Sequence, residues 1–212
     1  MTVEKKVQRI IAELKRKTPD PQCMLNYSLP EQLLIAARLS AQCTDKRVNE
    51  VTPELFSKFG DCYALAKAEI SEIERIIKPC GLFKTKSKSI KEMCQILAES
   101  NGVIPDTMEE LLKLPGVGRK TANLILGELF GKPAIVADTH VIRLSGRLGL
   151  IPESAKGNAL KVEQALLEII PPEESLLFCH RIVLHGRAVC KARNPGCVNC
   201  VISEWCAGKK SK

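Results

Sequence analysis

The sequence predicts an all-α protein built as two helical domains. Three observations lead there. Apolar residues recur at helical spacing almost throughout. Strand signals are scarce. The chain is 45% hydrophobic but only 4% aromatic, so its core has to be made of Leu, Ile, Val and Ala. Apart from the β-branched members, these residues favour helices. A length of 212 residues suits one large domain or two small ones.

The elements follow in order. Val7, Ile10, Ile11 and Leu14 make an amphipathic first helix over 3–17. Pro30 opens a second, read as 30–42, since proline is tolerated in a first helical turn. Further helices are predicted at 45–58, 62–67, 71–78 and 84–99, with Gly60, Gly81 and Gly102 at ends or turns. Asp106-Thr107 followed by Glu109 and Glu110 is a start signal for 107–113. The remaining helices are 119–130, 139–148, 157–170 and 173–188. Thr18-Pro19-Asp20-Pro21 and Gly131-Lys132-Pro133 read as linkers. They divide the chain into one domain of 22–132 and another of 1–21 plus 133–212. A chain that starts and ends in the same domain is expected to leave a cleft between the two.

The net charge is +8. Such a balance suits a polyanion, because each neutralised phosphate releases condensed counterions. A basic protein without such a partner remains the plainer alternative. No segment approaches the ~20 apolar residues that a membrane span needs. The start, Met1 to Lys6, leads directly into the first helix without a signal-peptide core. A cytoplasmic protein is expected, and there ten cysteines do not read as a disulfide framework.

The most informative stretch is Leu114-Pro115-Gly116-Val117-Gly118-Arg119-Lys120. It reads as a helix, a tight glycine hairpin and a second helix with a lysine on its first turn. Gly116 and Gly118 lack Cβ, so backbone can come close to a ligand. The first-turn amides of the second helix are unpaired at the positive end of its dipole, which suits phosphate. A simple helix–helix turn would look similar. Lys120 sharpens the reading. Structural lysines belong at the other end of a helix. A lysine acting as an amine nucleophile gains from this placement.

Asp138, in Val136-Ala137-Asp138-Thr139-His140-Val141, precedes the apolar series Val141, Ile142, Leu144, Leu148. It reads first as an N-cap. A capping carboxylate can still face a cleft. His140, His180 and His185 carry no assigned chemistry.

Cys190, Cys197, Cys200 and Cys206 are spaced C-x6-C-x2-C-x5-C around the turn formers Asn194, Pro195 and Gly196. Four thiolates in one short loop can close on a metal centre. Four-cysteine zinc and a [4Fe–4S] cubane are both compatible with that donor set. Lys191 and Arg193 lie on this loop, as phosphate contacts or as a solvated turn. Cys23, Cys43, Cys62, Cys80, Cys94 and Cys179 sit at apolar helical positions, and most of them read as core thiols.

In combination these motifs resemble the endonuclease III family of bacterial base-excision glycosylases with AP-lyase activity, in the helix-hairpin-helix superfamily. The resemblance covers nearly the whole chain. It rests on L-S-A-Q-x-T-D at Leu39 to Asp45, G-L at Gly81-Leu82, L-P-G-V-G-R-K-T-A at Leu114 to Ala122, V-A-D-T-H-V at Val136 to Val141, L-H-G-R at Leu184 to Arg187, and the cysteine spacing. The resemblance implies an all-α fold with a DNA-binding cleft and a C-terminal loop holding a [4Fe–4S] cluster on Cys190, Cys197, Cys200 and Cys206. It makes Lys120 the nucleophile and Asp138 the essential aspartate. It makes Gln42 the residue that fills the gap left by a flipped nucleotide, and Leu82 a wedge on the opposite side. Gly116, Gly118, Thr121, Lys191 and Arg193 become DNA contacts. The carbonyls of Leu112, Leu114 and Val117 become ligands of a monovalent cation. The implied partner is double-stranded DNA carrying damaged pyrimidines or abasic sites. The implied protein is a monomer associated with the bacterial nucleoid. The implied reaction removes oxidised pyrimidines and cuts the strand 3′ to the abasic site by β-elimination. A monofunctional mismatch glycosylase is the near alternative, but such relatives typically lack the hairpin lysine. A non-catalytic iron–sulfur DNA-binding module, or a zinc-ribbon factor, leaves Lys120 and Asp138 unexplained.

Overall fold

A computed structural model describes residues 2–209. Among them the ordered elements are all helical. They are α1 (Val3–Lys17), α2 (Pro30–Leu39), α3 (Asp45–Phe59), α4 (Cys62–Lys67), α5 (Ile70–Ile77), α6 (Phe83–Glu99), α7 (Met108–Lys113), α8 (Arg119–Phe130), α9 (Thr139–Leu148), α10 (Ala159–Ile169) and α11 (Ser175–Ala188). Short 3-10 turns lie at Lys78–Cys80, Glu153–Ala155, Pro172–Glu174, Cys197–Asn199 and Ser203–Trp205. Among the described residues no helix is long and apolar enough to cross a membrane.

The chain divides into two compact units, Cys23–Phe130 and Met1–Gln22 with Gly131–Lys212. In the first, α4 and α5 pack on α6, α3 on α5, and α2 and α7 on α8. Its core runs from Leu33, Leu34 and Leu39 through Val48, Leu55 and Ile73 to Ile90, Leu111 and Ile125. In the second, α1 packs on α10 and α11, and α9 on α10 and α11. Val7, Ile10 and Leu14 are buried there, as are Val141, Leu144, Phe178 and Ile182. Gly186 lets α9 and α11 approach closely: a Cβ there would lie 2.6 Å from His140 Nδ1.

Most starts carry the caps expected of them. Thr107 Oγ1 accepts the Glu110 amide at 3.3 Å and Asp138 Oδ1 accepts the Val141 amide at 2.7 Å. Gly60, Gly81, Gly102 and Gly131 all have positive φ. The helix expected over 30–42 stops instead at Leu39. Ser40 Oγ turns back to donate to the Ala37 carbonyl at 2.8 Å, a local bond that competes with the helix. The Leu39 carbonyl accepts from the Lys86 ammonium at 2.8 Å rather than from the next turn. Gln42 therefore lies off the helix, with φ +55°.

Of the six scattered cysteines, Cys62, Cys80, Cys94 and Cys179 are buried, while Cys23 and Cys43 are half-buried. Burial pushes the Cys80 thiol up to about 11 and the Cys23 and Cys179 thiols to about 12, so these are inert protonated groups.

Candidate nucleic-acid interface and cysteine loop

The glycine hairpin joins α7 to α8. Leu111, Leu114 and Val117 anchor it in the core, while Gly116, Gly118 and Lys120 are exposed. The Val117 amide donates to the Leu114 carbonyl at 3.1 Å, closing the turn. The Ala122 amide donates to the Gly118 carbonyl at 2.9 Å, so α8 starts immediately after Gly118. The amides of Arg119, Lys120 and Thr121 thus belong to the first turn, where a helix has no internal acceptors to offer.

The two glycines serve different ends. Gly116 has φ +80°, and a Cβ on it would lie 2.4 Å from Arg38 Nε and 3.0 Å from Ser89 Oγ. Arg38 Nε in turn donates to Ser89 Oγ at 2.7 Å. Gly116 is therefore required by packing as well as by conformation. Gly118 has ordinary φ, and a Cβ on it would meet nothing within 4 Å. Its bare face is open to a ligand. Gly116→Ala is accordingly expected to cost about 2 kcal/mol, from left-handed strain and a displaced Arg38, whereas Gly118→Ala should stay within about 0.5 kcal/mol. Urea unfolding of both variants checks this; equal costs would contradict it.

Gln42 and Leu82 lie in the same unit as the hairpin. Leu82 is the N-cap of α6 and has φ +48°; the residue is 54% exposed. A bulky apolar residue in left-handed backbone and in solvent is costly on both counts. Gln42 is exposed as well.

In the other unit, Asp138 is half-buried at the start of α9. The cysteine loop follows α11. Cys190, Cys197, Cys200 and Cys206 line one cavity together with Arg147, Val189, Pro195 and Gly196. Among the described residues no three His, Cys, Asp or Glu side chains form a group that could hold a single ion. Burial pushes the Cys200 and Cys206 thiols up, and the neighbouring cysteines add to the effect.

Three residues to which the sequence assigns no chemistry hold this loop. Arg147 donates to Cys190 Sγ at 3.3 Å, the Lys191 carbonyl at 2.7 Å and the Ala192 carbonyl at 2.8 Å. Arg143 donates to the Cys190 carbonyl at 3.1 Å. His185, 5% exposed, places Nε2 3.3 Å from Cys200 Sγ. Burial first, then the charge of Lys17, lowers the His185 pKa, so the ring is held neutral there. Lys191 and Arg193 project from this tied loop and are exposed. An all-sulfur donor set with an Arg147 N–H directed at one of its sulfurs and the His185 ring beside another fits a thiolate-bound cluster.

Residues 35–172 match the family described as HhH-GPD superfamily base excision DNA repair protein. Endonuclease III of Synechocystis sp. is 45% identical over 205 residues, 96% of this chain and 92% of that protein. A non-covalent endonuclease III–DNA complex superposes with TM-score 0.91 at 40% identity, over 99% of this chain and 97% of that one. A trapped endonuclease III–DNA covalent intermediate, an estranged-adenine complex, gives TM-score 0.91 and 40% identity over 99% and 98%. The chain belongs to the endonuclease III family of the HhH-GPD superfamily.

Proposed function

We propose that this chain excises oxidised pyrimidines from duplex DNA and then cuts the strand through a Schiff base on Lys120. As a member of its family it is a base-excision DNA glycosylase and AP lyase. The observation that carries the assignment is Lys120 itself: an exposed amine on the first turn of α8, two residues from the open face of Gly118.

A base inside the stack is out of reach, so its nucleotide has to be extruded, at a cost of a few kcal/mol. Gln42 and Leu82 offset part of that cost by filling the space left behind. Gly116, Gly118 and Thr121 present backbone to a phosphate beside the lesion, with the carbonyls of Leu112, Leu114 and Val117 around a monovalent cation. Lys191 and Arg193 add phosphate contacts from the cysteine loop. The Lys120 amine attacks the sugar C1′ and the base leaves with the bonding electron pair. The sugar ring opens to an iminium on Lys120 Nζ. Loss of a C2′ proton expels the 3′ phosphate, and water then hydrolyses the imine to free the lysine. Asp138 Oδ1 accepts the Val141 amide at 2.7 Å, which fixes the carboxyl at the start of α9. There it serves the reaction either by stabilising the cationic sugar or by shuttling a proton.

Cys190, Cys197, Cys200 and Cys206 would hold a [4Fe–4S] cluster. When bound, it supplies a covalent tie for the loop rather than chemistry on the sugar. Purified protein is expected to contain iron and acid-labile sulfide in equal amounts, both lost in Cys200→Ser. Stoichiometric zinc without iron would overturn this. The reaction is tested by borohydride reduction during turnover on a duplex with an oxidised pyrimidine. A covalent protein–DNA adduct is expected. Base release without any adduct would favour the monofunctional alternative.

A further inference from the structure

Gln42 and Leu82 both take left-handed backbone, with φ +55° and +48°. For residues other than glycine this costs on the order of 1–2 kcal/mol each, and it persists only where the surroundings enforce it. Lys86, on the second turn of α6, is bonded to backbone next to both. Its side chain is 0% exposed. Its ammonium donates to the Leu39 carbonyl at 2.8 Å and to the Cys80 carbonyl at 2.8 Å. Leu39 ends α2, three residues before Gln42; Cys80 ends the 3-10 turn, two residues before Leu82. Both carbonyls are helix-end acceptors whose dipoles suit a cation. The Lys86 amide also donates to the Leu82 carbonyl at 2.9 Å. One residue thus holds both loops from beneath.

The two carbonyls give a lysine a local structural role here, at a cost. Taking an ammonium out of water is costly, and burial does lower the Lys86 pKa. An apolar side chain would avoid that penalty but would leave the Leu39 and Cys80 carbonyls without this donor.

We propose that Lys86 is a positioning residue for base extrusion: it fixes the loops of Gln42 and Leu82 relative to each other, so that both side chains enter the duplex together. This rests on the reading of those two as inserting residues. The experiment compares two single-turnover rates, excision of an oxidised pyrimidine from a duplex and strand cleavage at a preformed abasic site, where no base has to leave the stack. Lys86→Met, near in volume and uncharged, is expected to lose about tenfold to a hundredfold in excision, as a displacement of ~1 Å would cause, with a much smaller loss in abasic-site cleavage. In a Gln42→Ala/Leu82→Ala background, Lys86→Met should add no further loss. Equal losses on both substrates, wild-type excision, or a fully additive loss would each overturn the proposal. Lys86→Gln, neutral and too short to reach both carbonyls, is the second variant, with the same outcomes, should the methionine protein not fold. Wild-type excision by Gln42→Ala/Leu82→Ala would sink the insertion reading itself. Impaired excision there with intact excision in the Lys86 variants would sink only the positioning role.

Discussion

Lys120→Ala is expected to yield no borohydride adduct and no strand cleavage, a loss on the order of 10³-fold or more, while the protein stays folded and still binds DNA. The two halves of that expectation have separate grounds. Chemically, no other group of the hairpin can replace the amine: Arg119 beside it stays protonated and cannot form an imine. Structurally, Lys120 is exposed, so truncating it removes no core contact. Alanine is the best helix former, and deleting a cation from a helix N-terminus removes an unfavourable dipole interaction. The melting temperature should therefore hold or rise slightly. The measurement is denaturing gel analysis of the reduced reaction, beside a thermal melt and a binding titration on uncleaved lesion duplex. An undiminished adduct would refute the lysine assignment. A lost adduct with a collapsed melt would show that folding rather than chemistry had failed.

Glu174→Gln is the second large effect, and it concerns stability. Arg181 on α11 has a side chain 1% exposed, and it meets Glu174 at 2.6 Å. It also donates to the carbonyls of Thr18 at 3.1 Å and Pro19 at 3.0 Å, binding the segment after α1 to α11. Burial by itself would raise the Glu174 pKa. Hydrogen bonds and charge from Lys15 and Arg181 outweigh it, and the pKa ends below the usual carboxylate range. Neutralising Glu174 leaves the buried guanidinium uncompensated, a change that costs about 3–5 kcal/mol in general. The two remaining carbonyl acceptors put this case at about 3 kcal/mol, or roughly 6–12 °C in melting temperature. Because the folded carboxyl has the lower pKa, its contribution is present above the unfolded value of about 4.3 and fades as pH falls through the folded one. Thermal melts between neutral and acid pH should show the wild type's advantage shrinking below about pH 4.3. An advantage that grows with acid would be incompatible with this ion pair.

The hairpin was legible from sequence because its signals are local: two glycines, a proline and a lysine in seven residues. The Asp138 cap was legible for the same reason, with a short polar side chain ahead of an apolar series. Lys86 was not. It stands in Lys84-Thr85-Lys86-Ser87-Lys88, which reads as a solvated basic face. Which of those lysines turns inward depends on two carbonyls contributed by residues 47 and 6 positions away. The premature end of α2 escaped notice for the same cause, since one of those carbonyls is its own. Arg147 and His185 were missed because nothing local distinguishes a cation aimed at a cysteine loop from one aimed at solvent. Gly116 and Gly118 looked equivalent in sequence. Only the position of Arg38 separates a glycine needed for packing from one left bare.

The division into units has a consequence for the order of assembly. The unit Cys23–Phe130 is continuous in sequence, so a ribosome delivers all of it before any of α9 exists. The other unit needs segments from both sides of it. Helix α1 is made well before its packing partners α10 and α11. Val7, Ile10, Ile11 and Leu14 therefore present an apolar stripe without its native cover through most of synthesis. Contacts of such large sequence separation form slowly, because loop closure has to be met before they stabilise anything. Lys5, Lys6, Arg9, Lys15, Arg16 and Lys17 give the same helix strong positive charge. That charge keeps a waiting amphipathic segment in solution until its partners emerge.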